Sequence, residues 1–206
     1  MYTQRLLRQY IDNMKLEKII VVIIAILLAV PNQAEAQNVP QVIPQSHAQK
    51  CVDVSTDIVA LALPTAALVG TLCARDWKGL VQGVETAAAT AAATLILKYS
   101  IKEWRPDMSD RHSFPSGHTA VSFATAAYLQ RRYGWAFGGP AYALSCYVAW
   151  GRVFAKQHHF WDVIGGAVIG AASAYIFTTS FARKHNLQVS PMSHGNDIGV
   201  YASFEF

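Results

Sequence analysis

The chain has 206 residues, of which 52% are hydrophobic and only 15% are charged, and its formal net charge is +4. Soluble domains average about 25% charged residues, so this composition excludes a disordered chain and argues against an ordinary soluble enzyme or a nucleic-acid-binding surface. It indicates a small integral membrane protein with one domain. A slight excess of Lys and Arg is then expected from the cytoplasmic loops.

Residues 1–36 are predicted to be a signal peptide or an N-terminal anchor. An apolar run of twelve residues, Ile19 to Val30, follows two lysines and precedes an Ala-Glu-Ala sequence at 34–36. A basic flank, a short apolar core and an A-x-A site are typical of a cleaved secretory signal. An uncleaved anchor helix is the alternative, although twelve residues are short for a membrane span. Both interpretations place residue 37 outside the cytoplasm.

The rest of the chain divides into an extracytoplasmic loop over 37–54, a helical-bundle domain over 55–185 and a C-terminal tail over 186–206. Apolar segments predict an all-α bundle of about five transmembrane or membrane-embedded helices. The predicted helices cover 57–73, 79–99, 119–130, 135–150 and 161–181. The second and fifth helices are rich in small residues, which permit close helix packing in a membrane.

Basic residues recur in every second loop and predict how the bundle is oriented. The pairs are Arg75 with Lys78, Arg131 with Arg132, and Arg183 with Lys184. By the positive-inside rule, these three loops face the cytoplasm. The loops left on the outer face are roughly 98–118 and 151–161, and they contain nearly all the remaining polar chemistry. In a bacterial cell, this topology predicts an inner-membrane protein whose polar outer loops face the periplasm.

The three cysteines do not predict a disulfide framework. About 22 residues of helix would separate Cys51 from Cys73 by roughly 33 Å, far beyond the reach of a disulfide. Cys146 lies in another apolar segment. We expect all three to be packing residues.

The tail ends in IGVYASFEF, an alternation of apolar and polar residues. This pattern looks like the last strand of an outer-membrane barrel, but one strand cannot close a barrel. We therefore expect a flexible or peripherally docked tail.

Three clusters of polar residues fall at the outer face. They are Lys98 with Arg105, the sequence PSGH at 115–118, and Arg152 with His158 and Asp162. Taken singly, the clusters have structural explanations: interfacial cations, a turn that caps a helix, and a surface pair. Together they place three cations and two histidines at one membrane face, which is the mixture that phosphate binding requires.

Each residue type suits a phosphate site for a separate reason. Arginine offers forked donors to phosphate oxygens, and lysine adds a point charge. Ser116 would open a helix, whose free N–H groups and dipole attract anions. Gly117 allows the backbone to approach a phosphate without a side-chain clash.

His158 and Asp162 are spaced so that they share one helix face. The carboxylate can accept a hydrogen bond from one imidazole nitrogen and leave the other free as a nucleophile. His118 is then available to protonate the leaving oxygen and later to activate water. A metal site is the competing use of these residue types, but three nearby cations would repel a divalent ion.

The three motifs, in this order, resemble the type-2 phosphatidic acid phosphatase superfamily, whose core is shared with vanadium haloperoxidases and bacterial class A acid phosphatases. The family pattern is Lys-x6-Arg-Pro, then Pro-Ser-Gly-His, then Ser-Arg-x5-His-x3-Asp. Here the motifs read KYSIKEWRP at 98–106, PSGH at 115–118 and GRVFAKQHHFWD at 151–162. The resemblance covers about residues 55–182.

This resemblance implies an all-α phosphatase that needs no metal and no cofactor. It implies that His158 is the nucleophile that becomes phosphohistidine, that Asp162 orients it, and that His118 is the general acid. Five further positions match the phosphate-binding residues of the family: Lys98, Arg105, Ser116, Gly117 and Arg152.

The chain departs from the family pattern at Gly151, which replaces the serine of the third motif and is expected to weaken the support of Arg152 or of the phosphate. His159 introduces an ambiguity, although the spacing to Asp162 favours His158 as the nucleophile. The stretch between Pro106 and Pro115 is short, which leaves little chain for a soluble cap and suits access from the lipid headgroup layer.

The favoured function is a membrane phosphatase acting on lipid phosphate monoesters or diphosphates. Candidate substrates are phosphatidic acid, phosphatidylglycerol phosphate, undecaprenyl diphosphate and lipid A phosphate. A soluble periplasmic acid phosphatase of the same superfamily and a non-catalytic lipid-binding membrane protein are the alternatives. A vanadate-dependent haloperoxidase is a further possibility on the same core. The expected partners are the lipid substrate and membrane lipids, without nucleic acid, and the sequence does not predict an oligomeric state.

Overall fold

The computed structural model describes residues 42–180, 188–194 and 197–203. The predicted signal peptide or anchor and the basic pair at 183–184 lie outside these residues. Five α-helices follow one another along the chain: α1 His47–Cys73, α2 Trp77–Ser100, α3 Gly117–Tyr133, α4 Trp135–Phe154 and α5 Phe160–Phe177. The predicted helical bundle is confirmed.

The bundle is built for a lipid environment. Helices α1, α2 and α5 are long and apolar enough to cross a membrane. Large apolar side chains cover the outside, and Leu61 and Trp77 are 72% and 68% exposed. Small hydroxyl residues such as Thr56, Thr90 and Ser122 are buried inside. This distribution is typical of membrane helices that pack through small residues, and it argues against the soluble alternative.

Helix α1 begins at His47, well before the predicted start at Asp57 and inside the segment predicted to be an extracytoplasmic loop. A capping box explains this start. The Gln49 N–H donates to the Ser46 hydroxyl at 3.3 Å, and the Gln49 side chain accepts from the Ser46 N–H at 2.9 Å. Because the first turns of α1 are polar, the apolar pattern did not reveal them.

Close packing of α3 against α5 depends on glycine. A Cβ on Gly170 would overlap the backbone carbonyl of Ala120, and a Cβ on Gly166 would lie 2.5 Å from the carbonyl oxygen of Ser116. The Ser116 N–H also donates to the Asp162 carbonyl at 3.0 Å. The first turn of α3 is therefore fixed directly against the first turn of α5.

A single residue, Gly134, connects α3 to α4. Its φ of +96° lies in the region that strongly favours glycine. The tight turn lets α4 run back along α3. Arg152, in the last turn of α4, thus returns to the end of the bundle where His118 begins α3.

The opposite end of the bundle is held by a buried ion pair. Arg132 Nη2 lies 2.5 Å from Asp76 Oδ1, and both side chains are less than 5% exposed. The Tyr133 hydroxyl donates to the other Asp76 oxygen at 3.0 Å. Arg131 donates through Nε to the Thr178 carbonyl at 2.6 Å. Arg131 and Arg132, which we used to predict the topology, therefore also link the end of α3 to the start of α2 and to the end of α5.

The tail forms a hairpin, which corrects the expectation of a flexible segment and leaves a peripherally docked tail as a prediction. Strand β1, Gln188–His194, pairs antiparallel with β2, Asp197–Ser203. The alternating pattern read from the sequence coincides with most of β2. A strand that pairs with its neighbour in this way satisfies part of its own backbone hydrogen bonding.

Cys51, Cys73 and Cys146 are free thiols, as expected, but all three are exposed on the outside of the helices. The prediction that they are packing residues is therefore wrong, because none of the three is buried inside the bundle. Apolar helix faces that meet lipid are as hydrophobic as a core, so composition alone does not distinguish the two environments.

Candidate active site

The predicted site residues meet at one end of the bundle. Lys98 lies in the last turn of α2, His118 in the first turn of α3, Arg152 in the last turn of α4 and Asp162 in the first turn of α5. A cavity of about 270 Å³ between α1, α2 and α3 has a mainly apolar lining and contains none of the predicted site residues. The candidate chemistry is therefore at the helix ends and not in this cavity.

His158 and Asp162 form the buried centre of the site, with side chains that are 2% and 0% exposed. His158 Nδ1 lies 3.6 Å from Asp162 Oδ2, slightly farther than a normal hydrogen bond. The same oxygen accepts hydrogen bonds from the Ser113 hydroxyl and from the His159 N–H. These donors hold the carboxylate on the Nδ1 side of His158.

Burial lowers the pKa of His158 below its ordinary value of 6.5. The carboxylate of Asp162 opposes this shift, whereas the charges of Arg105 and Lys98 add to it. The imidazole is therefore neutral at neutral pH. A neutral imidazole has the free lone pair that a nucleophile needs.

His159 is in a different environment from its neighbour. Its side chain is 44% exposed, and Nδ1 lies 3.5 Å from Asp162 Oδ2 and 3.4 Å from Glu103 Oε1. His159 is also the N-cap of α5. Although both histidines approach Asp162, only His158 is buried, which favours the interpretation of His158 as the nucleophile.

Among the described residues, Glu103, His159 and Asp162 hold donor atoms within 4.8 Å of one another, close enough to bind a metal ion. Oδ2 of Asp162 is already engaged by two hydrogen-bond donors. Burial and the Asp162 charge raise the pKa of Glu103, against the opposing effect of His159. Burial thus makes Glu103 harder to ionise than an exposed glutamate.

Two of the predicted phosphate-binding cations are held by partners from the neighbouring loops. Lys98 Nζ donates to the His112 carbonyl at 2.8 Å. Arg105 Nε lies 2.9 Å from Asp110 Oδ2, and its Nη1 donates to the Gln157 side chain at 2.6 Å. Lys98 is close enough to Arg105 and to Arg152 to interact with both electrostatically. The structure thus brings the three cations together.

The third cation, Arg152, is 5% exposed and bound to helix α1. Its Nη1 donates to Asp53 and to Asp57, each at 2.7 Å. Oδ1 of Asp57 also lies 3.1 Å from His118 Nε2. One carboxylate of α1 therefore contacts both the proposed phosphate-binding arginine and the proposed general acid.

Ser116 and Gly117 lie at the start of α3, as predicted. The Ser116 hydroxyl pairs with the Thr119 hydroxyl at 3.0 Å and makes no capping hydrogen bond. Around Gly117, a Cβ would have only one neighbour within 4 Å, the Thr94 methyl group at 3.9 Å. The backbone at Gly117 is therefore accessible to a small anion.

The expectation that Gly151 weakens the support of Arg152 or of the phosphate stays a prediction, but the structure gives this glycine a packing role. A Cβ at this position would overlap the Thr56 methyl group and lie 3.1 Å from Val52 Cγ1. Glycine at 151 therefore lets α4 approach α1, which brings the carboxylates of Asp53 and Asp57 to Arg152. The missing serine is replaced by support from another helix.

Sequence reasoning missed several polar residues around the site. The capping box at Ser46 could have extended α1 far enough to place Asp53 and Asp57 on one face, four residues apart. The loop residues have no comparable sequence signal, because their contacts depend on how the segment between α2 and α3 folds. The missed residues are Asp53, Asp57, Asp110, Ser113 and Gln157.

The arrangement contains the parts needed to act on a phosphate group: clustered cations, a buried histidine beside a fixed carboxylate, and a second histidine from another helix. Comparison with known proteins supports the same assignment. The family model described as the PAP2 superfamily matches residues 79–186. This match includes all three motifs.

Two curated relatives are lipid A phosphatases. The chain is 33% identical over 116 residues to the lipid A 4'-phosphatase of Helicobacter pylori strain J99, covering 56% of each protein. It is 35% identical over 77 residues to the lipid A 1-phosphatase of Porphyromonas gingivalis, covering 35% of this chain and 17% of that protein. The chain thus spans about half of the first relative and a smaller part of the second.

The fold is also similar to a solved structure, the first transmembrane PAP2 type phosphatidylglycerolphosphate phosphatase from Bacillus subtilis. The TM-score is 0.52 and the identity is 18%, with 86% of this chain and 94% of that chain covered. This likeness concerns the fold alone. With the family model matching more than half of its residues, the chain belongs to the PAP2 superfamily.

Proposed function

We propose that this protein is a metal-independent membrane phosphatase that hydrolyses lipid phosphates through a phosphohistidine intermediate. The observation that carries the proposal is the buried His158 beside Asp162, with three cations close by at one end of a membrane bundle. Electrostatic stabilisation by fixed cations is the main requirement for phosphoryl transfer.

In the first step, Lys98, Arg105 and Arg152 bind the phosphate oxygens. Nε2 of His158 attacks phosphorus, and the bond between phosphorus and the leaving alcohol oxygen breaks. Burial and the charge of Arg152 lower the pKa of His118 to about 4, so His118 first takes the proton of the bound phosphate monoanion and then gives it to that oxygen. The Asp162 carboxylate accepts the Nδ1–H and stabilises the positive charge that develops on the imidazole.

In the second step, His118 acts as the base. It takes a proton from a water molecule, whose oxygen attacks phosphorus. The phosphorus–nitrogen bond breaks, inorganic phosphate is released, and His158 returns to its neutral form. The proton that His118 took from water then leaves with the released phosphate, because the pKa of His118 is about 4, and the next substrate supplies another.

We assign the substrate to lipid phosphates, with lipid A phosphate as the first candidate. Two relatives are lipid A phosphatases, and the similar solved structure is that of a phosphatidylglycerolphosphate phosphatase. The apolar exterior of the helices supports access from the lipid layer. We further propose that the site faces the periplasm from the inner membrane, because the basic residues 75, 78, 131 and 132 lie near the opposite end.

The experiment is a substrate panel with purified protein in detergent. Phosphate release is measured from lipid A, phosphatidic acid, phosphatidylglycerol phosphate, undecaprenyl diphosphate and p-nitrophenyl phosphate. We expect His158→Ala to lower kcat by at least about a thousandfold, as loss of a nucleophile does. His159→Ala is the matched control and should retain activity within about tenfold of the wild type, because loss of a positioning contact costs less. If the wild type releases phosphate from none of the lipids in the panel, the proposal is contradicted.

A further inference from the structure

Two carboxylates on one face of α1 contact the proposed phosphate site. Asp53 and Asp57 are one helical turn apart, with Thr56 beside them. The N-terminal part of α1 is fastened to the end of α4, where the Gln45 side chain donates to the Ala155 carbonyl at 2.6 Å and Gln49 donates to the Phe154 carbonyl at 3.1 Å. The position of these carboxylates is therefore set by helix packing.

Both carboxylates share the same guanidinium nitrogen. Arg152 Nη1 lies 2.7 Å from Asp53 Oδ1 and 2.7 Å from Asp57 Oδ1, and the Thr56 hydroxyl is 3.4 Å away. One carboxylate is enough to balance the charge of one guanidinium. The second adds negative charge at the place where an anionic substrate has to bind.

The two carboxylates differ in exposure and in their second contacts. The Asp53 side chain is 22% exposed, whereas that of Asp57 is 51% exposed. Oδ1 of Asp57 lies between Arg152 Nη1 and His118 Nε2, at 2.7 Å and 3.1 Å. A phosphate ester oxygen held by the arginine and protonated by the histidine would need the same two contacts.

We propose that Asp57 is a displaceable positioning residue that occupies the contacts of a phosphate oxygen between turnovers, while Asp53 stays on Arg152 and holds it in place. This inference rests on the proposed function of the same site. Between turnovers, Asp57 holds the side chains of Arg152 and His118 at the positions that they take when phosphate is bound. An incoming phosphate displaces the Asp57 carboxylate towards the headgroup layer. After hydrolysis, its return to Arg152 competes with inorganic phosphate and speeds product release.

The test measures the binding of inorganic phosphate and of orthovanadate by titration calorimetry, with the full-length protein in detergent. Asp57→Asn keeps the shape of the side chain and removes its charge. We expect this variant to bind both anions roughly tenfold more tightly, because a like charge within a few ångströms is removed. Its kcat should fall, since product leaves more slowly and His118 loses its partner.

Asp53→Asn should tighten anion binding less, by about threefold, because the neighbouring carboxylate still faces Arg152. Glu85→Gln is the matched control: it removes the same charge from an exposed position in α2 and should leave both affinities unchanged. A purely structural role for Asp57 would weaken anion binding and would not tighten it.

The outcomes separate the two proposals. Unchanged or weaker anion binding by Asp57→Asn, in a protein that folds and whose wild type hydrolyses lipid phosphate, overturns the inference alone. A wild type that neither hydrolyses lipid phosphate nor binds the anions overturns the proposed function as well. If Asp57→Asn does not fold, Asp57→Ser repeats the measurement without the charge, and unchanged or weaker binding there overturns the inference.

Discussion

At the scale of single residues, the proposed chemistry depends on how the carboxylate of Asp162 is held. Its Oδ2 accepts from the Ser113 hydroxyl and from the His159 N–H, and the side chain is fully buried. A carboxylate fixed in this way can orient the His158 ring without moving during the reaction. The loop before α3 and the start of α5 therefore act together to orient the proposed nucleophile.

We predict that Ser113→Ala lowers kcat by about 10- to 100-fold, as loss of orientation typically does, with little change in KM. The reason is that Asp162 loses one of two donors while the cations that bind phosphate remain. Steady-state kinetics on a lipid phosphate measure both parameters. Ser122→Ala is the control, because the Ser122 hydroxyl is buried without a hydrogen-bond partner among the described residues. Equal losses in the two variants would contradict this role for Ser113.

The sequence predicted the residues of the three motifs, because their types and spacing suit phosphate chemistry. It did not predict their partners. Asp110 and Gln157 contact Arg105 only after two separate loops fold together, and no local pattern records such contacts. The packing role of Gly151 was not predicted, because a missing side chain has meaning only once its neighbour on another helix is known.

At the scale of helices, the site depends on close packing between α3 and α5. Gly166 and Gly170 let the two backbones approach, and this approach brings the first turns of both helices together. Small residues in the fifth apolar segment predicted tight packing but not its partner. The partner follows from the turn at Gly134 and from the loop before α3.

We predict that Gly170→Ala lowers the stability by about 1–3 kcal/mol, because its Cβ would overlap the Ala120 carbonyl and force the helices apart. The apparent Tm in detergent measures this loss. Gly139→Ala provides the control, since a Cβ there would meet nothing within 4 Å. That substitution should keep or slightly raise the Tm, as alanine is the better helix former. Similar Tm values for the two variants would be inconsistent with the packing described.

The ion pair at the other end predicts a pH dependence of stability. Burial alone would raise the pKa of Asp76, but hydrogen bonds from Arg132 and from the Gly79 N–H outweigh it and hold the pKa below its ordinary value of 3.8. A lowered carboxyl pKa means that the stabilisation is fully present above pH 3.8 and is lost as the pH falls through the folded-state pKa.

We therefore expect Asp76→Asn to cost about 3–5 kcal/mol at neutral pH, as breaking a buried pair does. Asparagine can still cap the start of α2, so the lost stability measures the contribution of the Asp76 charge. Unfolding of both proteins is followed from pH 7 to pH 3. The difference between them should be constant down to about pH 4 and shrink below it. If the difference in the free energy of unfolding between the two proteins grows on acidification, the pKa of Asp76 is not lowered by folding.

At the scale of the whole molecule, the distribution of basic residues favours one orientation in the membrane. The basic residues Arg75, Lys78, Arg131 and Arg132 lie near one end of the bundle, and the candidate site lies at the other. The all-α fold and its membrane character were predictable from composition and apolar segments. The true start of α1 and the hairpin in the tail were not predictable in the same way. Helix capping and strand pairing leave only a weak signal in the hydropathy of the sequence.

The native cysteines can test this orientation. Cys51 lies near the site end of α1 and Cys73 at its opposite end, and both are exposed. We predict that a membrane-impermeant maleimide labels a variant with only Cys51 in intact spheroplasts. A variant with only Cys73 should react only after permeabilisation. The reverse pattern would place the candidate site in the cytoplasm.

The central claim is that His158 carries the phosphoryl group. The most direct measurement is rapid mixing with a lipid substrate labelled with ³²P at its phosphate, an alkaline quench that preserves phosphohistidine, and counting of the protein-bound label. We expect a label that appears within one turnover, is lost on acid treatment, and is absent from His158→Ala but present in His159→Ala. An active wild type without any protein-bound label, or a label that persists in His158→Ala, would contradict it.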